Sequence, residues 1–255
     1  MLRPVFRKSF FAVLYGIFIS NSWAIELRTV AQSSTEPKFI EVQGKITGLC
    51  IDLHRAIEKA DSTLKIVGDQ VMMPLKRAEK MLEMAESDIA CGLLHHTTRD
   101  EKFYFSEVVV LSIADILVVR QDDPVQIKTW DDVAKLGGDG IVLGNAGRGP
   151  VEVLKKNKQL MIDDGAVTTE QNLNKLTMKR ARFFFHRSPG ISTEIKNAKM
   201  QDKVRVLPNA MAIHRTYMVI GKHLPKEAVT RIQNALKKIH ASGELDAIND
   251  RWKDY

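Results

Sequence analysis

The chain has 255 residues, with 38 Lys and Arg against 31 Asp and Glu and a formal net charge of +7. The cations are scattered among acids, with no long basic run and no interleaved aromatic residues, so the composition does not indicate a nucleic-acid-binding protein. The length suits one large domain or two lobes with separate cores.

The first 24 residues have the pattern of a secretory signal peptide. Three cations precede an apolar run from Phe10 to Ile19, and the segment ends on Ala24 with small residues at the positions that a signal peptidase reads. The run is shorter than the roughly 20 apolar residues of a transmembrane helix. We therefore expect cleavage after Ala24 and a soluble periplasmic protein. Removing three of the 38 cations leaves 35 against 31 acids, a net charge of +4.

Strand-like and helix-like segments alternate after the signal peptide, which predicts an α/β fold with largely parallel sheets flanked by helices. The predicted strands are 27–31, 64–67, 89–91, 116–119, 141–143, 183–185, 204–207 and 217–220. The predicted helices begin near residues 49, 75, 130, 150, 226 and 244. The segment 32–47 is predicted as a loop.

The segment Asp88–Glu107 carries the most informative motif. A strand leads through Gly92 and a Thr-containing loop to Arg99, and the tripeptide Phe-Ser-Glu follows at 105–107. Two further motifs lie in order with it. They are GLCID at 48–52 and a Gly-x-Leu…Trp pattern between residues 243 and 252.

Together these motifs resemble bacterial extracellular solute-binding proteins of family 3, the amino-acid class that serves ABC importers. The resemblance spans nearly the whole mature chain. It implies a two-lobed fold with residues 25–116 and 208–255 in the first lobe and 117–207 in the second. A ligand would then bind between the lobes, at the carboxyl ends of the strands.

The resemblance assigns Arg99 to the carboxylate of the ligand. A guanidinium suits this task because its planar fork donates two parallel hydrogen bonds and stays protonated. The alternative is a surface arginine paired with Asp100 or Glu101. Gly92 belongs to the same motif, and Gln32, just beyond the first strand, is a further candidate ligand contact.

The loop GNAGRG at 144–149 resembles a family loop whose backbone N–H groups help to bind the carboxylate. Glycines let the backbone approach a ligand closely, and N–H groups at the start of a helix attract an anion. We therefore expect Gly144, Asn145, Ala146 and Arg148 at the site. A phosphate-binding P-loop is excluded because no Lys-Ser or Lys-Thr follows. A plain turn is the remaining alternative.

Arg187 departs from the family pattern. Its position corresponds to an aspartate that pairs with the α-ammonium of the ligand in relatives, and here the charge is reversed. An ammonium facing a guanidinium in a partly desolvated cleft is repelled. The sequence therefore predicts a dianion or an acid without an amine. The alternative is that Arg187 turns to solvent or is neutralised by an internal acid such as Glu194.

The region beside the cleft also contains both cysteines of the mature chain. Cys50 and Cys91 fit one disulfide or two buried thiols, in a compartment where disulfides persist. His96 is a candidate ligand contact. No metal site is predicted, because adjacent histidines at 95 and 96 rarely point the same way and the Cys/His spacing matches no standard metal motif. The aromatic residue that covers the ligand in the family is not matched by TEPKF at 35–39.

The resemblance implies a monomeric, non-enzymatic receptor without a cofactor, which closes on a small carboxylate and delivers it to an ABC permease. GxSxG, HExxH and CxxC motifs are lacking in the sequence. One alternative is an enzyme of the same fold, such as a cyclohexadienyl dehydratase or a cell-wall lyase, with Glu36, His96 and His186 as acid–base candidates. Another alternative is a sensor that reports to a membrane receptor.

Overall fold

The computed structural model describes residues 24–33, 35–147, 149–253 and 255. The predicted signal peptide lies outside these residues except for Ala24, which is exposed. In the part of the chain that is described, no helix combines the length and the apolar character needed to cross a membrane.

Strands and helices alternate through most of the described chain. The strands are β1 (Ile25–Arg28), β2 (Ala31–Gln32), β3 (Ile40–Val42), β4 (Lys45–Thr47), β5 (Leu64–Val67), β6 (Met72–Met73), β7 (Ile89–Leu94), β8 (Phe103–Arg120), β9 (Val142–Asn145), β10 (Ile162–Ala166), β11 (Phe183–Ser188), β12 (Val204–Val206) and β13 (Ala212–Gly221). The helices are α1 (Leu49–Ala60), α2 (Leu75–Glu83), α3 (Thr97–Asp100), α4 (Trp130–Ala134), α5 (Gly149–Leu154), α6 (Thr169–Thr177), α7 (Ile191–Asn197), α8 (Lys226–Ala241) and α9 (Glu244–Trp252). A 3-10 turn covers Gly137–Gly140.

The first lobe is built around the parallel pair β1 and β5 and the helices α1, α8 and α9. Leu49, Leu53 and Ile57 recur every four residues on α1, so they form one buried stripe that packs against the core. Ile232 and Leu236 give α8 a similar stripe, and both are fully buried. The C-terminal helices therefore belong to the core of the N-terminal part of the chain.

The second lobe has cores on both faces of a sheet in which β9 pairs in parallel with β10 and β11. Successive side chains of a strand point to opposite faces. Phe184 and Leu143 accordingly pack on the face covered by α6 and α7, while Phe183 and Val142 pack on the face of α4 and α5. Helices on both faces explain why β9 and β11 each begin with consecutive apolar residues instead of an alternating pattern.

Two long strands connect the lobes. β8 has 18 residues and pairs antiparallel with β13, and both lie in one sheet that also contains β7 of the first lobe and β11 of the second. Along β8, Ile113 packs against the first-lobe core and Ala114 against a second-lobe core. The two-lobed α/β class predicted from the sequence is confirmed. The antiparallel pairs of this sheet are those of β8 with β11, β12 and β13 and that of β13 with β7.

Local differences from the predicted elements have simple causes. The predicted loop 32–47 contains the hairpin of β3 and β4, whose turn places Gln43 and Gly44 at positive φ. The predicted strand 116–119 is the end of β8. Its first residue, Ile116, packs in the second-lobe core, although the predicted boundary puts it in the first lobe. The boundaries themselves stay a prediction.

Candidate functional site

A cavity of about 670 Å³ lies between the lobes. This volume is within the range of about 300 to 1,000 Å³ that is usual for small-molecule sites. Side chains of both lobes line it, including Gln32, Lys38 and Arg99 from the first lobe and Asn145, Arg187 and Glu194 from the second. A ligand in this cavity would therefore contact both lobes at once.

Arg99 is held in a fixed orientation at the cavity wall. It lies in α3, directly after β7, and its side chain is 11% exposed. Nε donates to Oε1 of Glu79 at 2.6 Å, and Nη1 donates to the carbonyl oxygen of Leu94 at 2.7 Å. Nη2 also lies 2.5 Å from Oε1 of Glu79. These contacts leave one further N–H on Nη1 and one on Nη2. The partner is Glu79, in α2, and not Asp100 or Glu101, the surface partners considered from the sequence.

Lys38 crosses the first-lobe wall almost completely buried, with 7% of the residue exposed. Its Nζ donates to Oε1 of Gln32 at 2.9 Å and to the carbonyl oxygen of Gly92 at 3.0 Å. Burial lowers the pKa of Lys38, and the nearby charge of Arg99 lowers it further, to about 8. Gln32 lines the cavity, and its side-chain oxygen already accepts from Lys38.

Gly92 provides the space for this lysine. A Cβ on Gly92 would lie 2.7 Å from Cδ of Lys38, and the residue has φ of +72°, which L side chains rarely adopt. Gly92 also lines the cavity and supplies a carbonyl acceptor. The glycine of the motif thus acts through its backbone and through the absence of a side chain.

Arg187 lines the cavity from β11, and its charge is paired. Nε donates to Oδ1 of Asp115 on β8 at 2.8 Å, and Oδ2 of the same carboxylate lies 2.8 Å from Nε2 of His214 on β13. An internal acid therefore pairs with Arg187, which is one of the two alternatives considered from the sequence. The acid is Asp115 and not Glu194. Asp115 binds the guanidinium through Nε, and Arg187 lines the cavity.

Two acidic side chains line the same cavity. Glu36 is exposed at the first-lobe edge, and Glu194 in α7 lies 3.3 Å from Nε2 of His186. Nδ1 of His186 is 2.8 Å from the carbonyl oxygen of Arg187. The cavity is therefore lined by both signs of charge, with the buried Lys38 and the half-buried Arg99 on the first-lobe side.

The glycine-rich loop of the second lobe is used mainly for packing and sheet contacts. A Cβ on Gly144 would lie 2.8 Å from Val151, so the glycine allows α5 to pack closely on β9. The N–H of Ala146 donates to the carbonyl oxygen of Ala166 at 2.8 Å. Neither residue lines the cavity, and Arg148 lies outside the described residues.

Asn145 is the residue of this loop that lines the cavity. Its Nδ2 donates to Oγ1 of Thr169 at 3.2 Å, and its Oδ1 accepts from Nδ2 of Asn172 at 2.7 Å. Both partners lie in α6, so the amide is buried in a network that fixes β9 against that helix. His96, by contrast, is exposed, lies 2.8 Å from Oγ1 of Thr98 and is outside the cavity wall.

Cys50 and Cys91 form a disulfide with Cα atoms 6.0 Å apart. Cys50 is in the first turn of α1, and Cys91 is on β7, directly before Gly92. The bond therefore ties the helix to the strand that carries the cavity wall. Among the described residues, no three His, Cys, Asp or Glu side chains are grouped so that they could hold a metal ion.

The model of one protein family, the bacterial extracellular solute-binding proteins of family 3, matches residues 28–255. The chain belongs to this family. The match begins within β1 and includes all later elements, so the predicted resemblance is confirmed. No curated protein sequence matches the chain.

Solved structures of other binding proteins have the same fold as this solute-binding protein. The probable amino-acid ABC transporter extracellular-binding protein ytmK from Bacillus subtilis has a TM-score of 0.72 and 19% identity, over 91% of this chain and 98% of that chain. The L-cystine solute receptor of Neisseria gonorrhoeae, in an unliganded open conformation, has a TM-score of 0.70 and 18% identity, over 89% and 92% of the two chains. A structure from work on glutathione import and the cystine ABC importer of Streptococcus mutans has a TM-score of 0.64 and 20% identity, over 90% and 95%.

Sequence reasoning missed Lys38 in this solute-binding protein. The residue stands in TEPKF, the segment that departs from the family where an aromatic lid was sought. Its neighbour Phe39 packs in the core, with 1% of the residue exposed, whereas Lys38 lines the cavity. The signal that could have found Lys38 is a lone cation between two apolar residues in a segment expected to border the ligand.

Proposed function

We propose that this chain is the substrate-binding protein of an ABC-type transporter and that it binds a small carboxylate between its lobes. The observation that carries the proposal is Arg99. Glu79 and Leu94 fix its guanidinium at the cavity wall, and N–H groups remain on both Nη atoms. A preorganised fork of this kind gives strong, charge-assisted hydrogen bonds to a carboxylate.

Hinge closure is the second part of the proposal. The lobes have separate cores, and β8 passes from one core to the other between Ile113 and Ala114. A ligand held by both lobes favours the closed arrangement by the free energy of its additional contacts there. The bend is therefore proposed for this part of β8 and for the paired segment of β13.

The proposed ligand is an acid without an α-ammonium group. Arg187 lines the second-lobe wall, and Asp115 binds its Nε. A cation at this place disfavours an ammonium and suits a second anionic group. The similar proteins named above concern amino acids, L-cystine or glutathione, so these compounds are the natural competitors in a binding assay.

We further propose a monomer in the periplasm, which delivers its ligand to an inner-membrane permease and catalyses no reaction. The support is the family membership together with the signal-peptide pattern of residues 1–24. Of the three acid–base candidates, His186 lies beside the carboxylate of Glu194, with Nε2 3.3 Å from Oε1, and His96 lies outside the cavity wall. Glu36 is exposed to solvent.

Calorimetric titration of the mature chain tests this function. The panel contains succinate, glutarate, L-glutamate, L-arginine, L-cystine and glutathione, and the variants are Arg99→Ala and, as a control, Arg251→Ala. Arg251 is an exposed arginine bound to Asp52, outside the cavity wall. We expect a dicarboxylate to bind, and Arg99→Ala to lose about 2 to 4 kcal/mol of binding free energy. Unchanged affinity in Arg99→Ala would contradict the assignment.

A further inference from the structure

Lys38 differs from the other cations of the cavity wall in lacking an acidic partner. Arg99 is bound to Glu79, and Arg187 is bound to Asp115. Among the described residues, no carboxylate oxygen lies within 4.0 Å of Nζ of Lys38. Its two acceptors, the amide oxygen of Gln32 and the carbonyl oxygen of Gly92, are both neutral.

The lysine ammonium has three N–H donors, and the two neutral acceptors account for two of them. A neutral acceptor can satisfy a hydrogen bond but does not compensate a buried charge, which is costly unless an ion of opposite sign is supplied. The neighbouring charge of Arg99 adds to this cost, as the pKa of about 8 indicates. If the only role of Lys38 were to join Gln32 to Gly92, an uncharged donor would serve better.

We propose that Lys38 is an anion-binding residue of the cavity and that, together with Arg99, it selects a ligand with net negative charge, such as a small dicarboxylate. This inference rests on the proposed function and deepens it. One carboxylate of the ligand takes the third N–H of Lys38 and the free N–H groups of Arg99. A zwitterionic amino acid is disfavoured because its ammonium adds a cation to a wall that already has an uncompensated one.

Binding of an anion beside Lys38 stabilises the protonated amine, so binding is linked to pH. The charged and titratable side chains that share the cavity with Lys38 are Arg99, Glu36, His186, Arg187, Glu194 and Tyr255. Burial and the charge of Glu36 raise the pKa of Tyr255, which moves its titration away from that of Lys38. Above about pH 8, the neutral amine must take up a proton when the anion binds, so affinity falls.

The test is calorimetry with a panel of succinate, glutarate, L-glutamate and L-cystine on the wild type, Lys38→Met, Arg99→Ala and the control Lys102→Met. Lys102 is exposed, binds Glu83 and lies outside the cavity wall. We expect Lys38→Met to weaken the better dicarboxylate by at least about tenfold at about pH 7, while Lys102→Met leaves it unchanged. The affinity of the wild type should fall between about pH 7 and about pH 9.5, whereas that of Lys38→Met should not. Titrations in buffers of different ionisation enthalpy should show proton uptake on binding to the wild type.

The outcomes separate this inference from the proposed function. If Arg99→Ala abolishes binding while Lys38→Met binds as tightly as the wild type, Lys38 is structural and the proposed function stands. Tighter binding of L-glutamate or L-cystine than of either dicarboxylate would overturn the selection of a net negative charge. If the wild type binds none of the panel, both are contradicted. Should Lys38→Met fail to fold, Lys38→Gln and the pH dependence of the wild type decide the same question.

Discussion

The side chain of Lys38 occupies the space where Gly92 has no side chain, with Cδ 2.7 Å from the position of a Cβ on Gly92. Gly92→Ala should therefore displace the lysine from the two oxygens that now hold it. The positive φ adds a backbone cost of about 1 to 3 kcal/mol. We expect a lower melting temperature and weaker dicarboxylate binding.

The control for this variant is Gly44→Ala, in the turn between β3 and β4. Gly44 has φ of +77°, close to that of Gly92, but nothing lies within 4 Å of its Cβ position. It should show the backbone cost without the loss of binding. Equal binding by both variants would mean that the contact between Gly92 and Lys38 has no influence on the cavity.

The pKa of Lys38 predicts how stability depends on pH. Burial and Arg99 lower the pKa from 10.5 to about 8 in the folded protein. Between these values the unfolded chain holds more protons than the folded one, so the free energy of unfolding rises with pH in this window. The total gain from this group is about 3 kcal/mol. Urea unfolding at several pH values should show this rise in the wild type relative to Lys38→Met; parallel curves would contradict it.

Arg187 and Asp115 together predict a change of ligand preference. Arg187→Met removes the cation and frees Oδ1 of Asp115, which can then accept a hydrogen bond from a ligand ammonium. We expect L-glutamate to gain affinity relative to glutarate by about tenfold, as measured by calorimetry. The same ratio in Arg187→Met and in the wild type would show that Arg187 does not set the preference.

The disulfide predicts a loss of stability on its removal. Cys50 and Cys91 are 41 residues apart in sequence, and the bridge constrains the unfolded chain. Replacing both cysteines by alanine should lower the free energy of unfolding by about 2 to 4 kcal/mol. A reducing agent should destabilise the wild type by a similar amount and leave the double variant unaffected. Two free thiols in the oxidised wild type, found by titration, would exclude the bridge.

The sequence predicted most of the fold because its elements have clear local signals. Leu49, Leu53 and Ile57 show the period of a buried helix face, and Thr129 forms a capping box with Asp132 at the start of α4. The helix α6 was missed although Thr168 and Gln171 form the same kind of box. Only residues 116–119 of β8 were predicted as a strand. The apolar pattern of β8 does not show that one strand passes from the first-lobe core to the second-lobe core.

The cavity wall was predicted less completely because its contacts join distant parts of the chain. Lys38 bonds to the carbonyl oxygen of Gly92, 54 positions away, and Arg187 bonds to Asp115, 72 positions away. No local pattern indicates that a lysine will be buried or which acid will pair with an arginine. The motif drew attention to Arg99, which lines the cavity, but no local pattern indicated that Glu79 would be its partner.

The most direct test of the account is small-angle X-ray scattering of the mature protein with and without the dicarboxylate that binds most tightly. Arg99 and Arg187 lie on opposite lobes of the same cavity, so a ligand that contacts both should draw the lobes together. We expect the radius of gyration to fall on addition of the dicarboxylate in the wild type and to stay constant in Arg99→Ala. Calorimetric binding with no change in the radius of gyration of the wild type would contradict closure around the ligand.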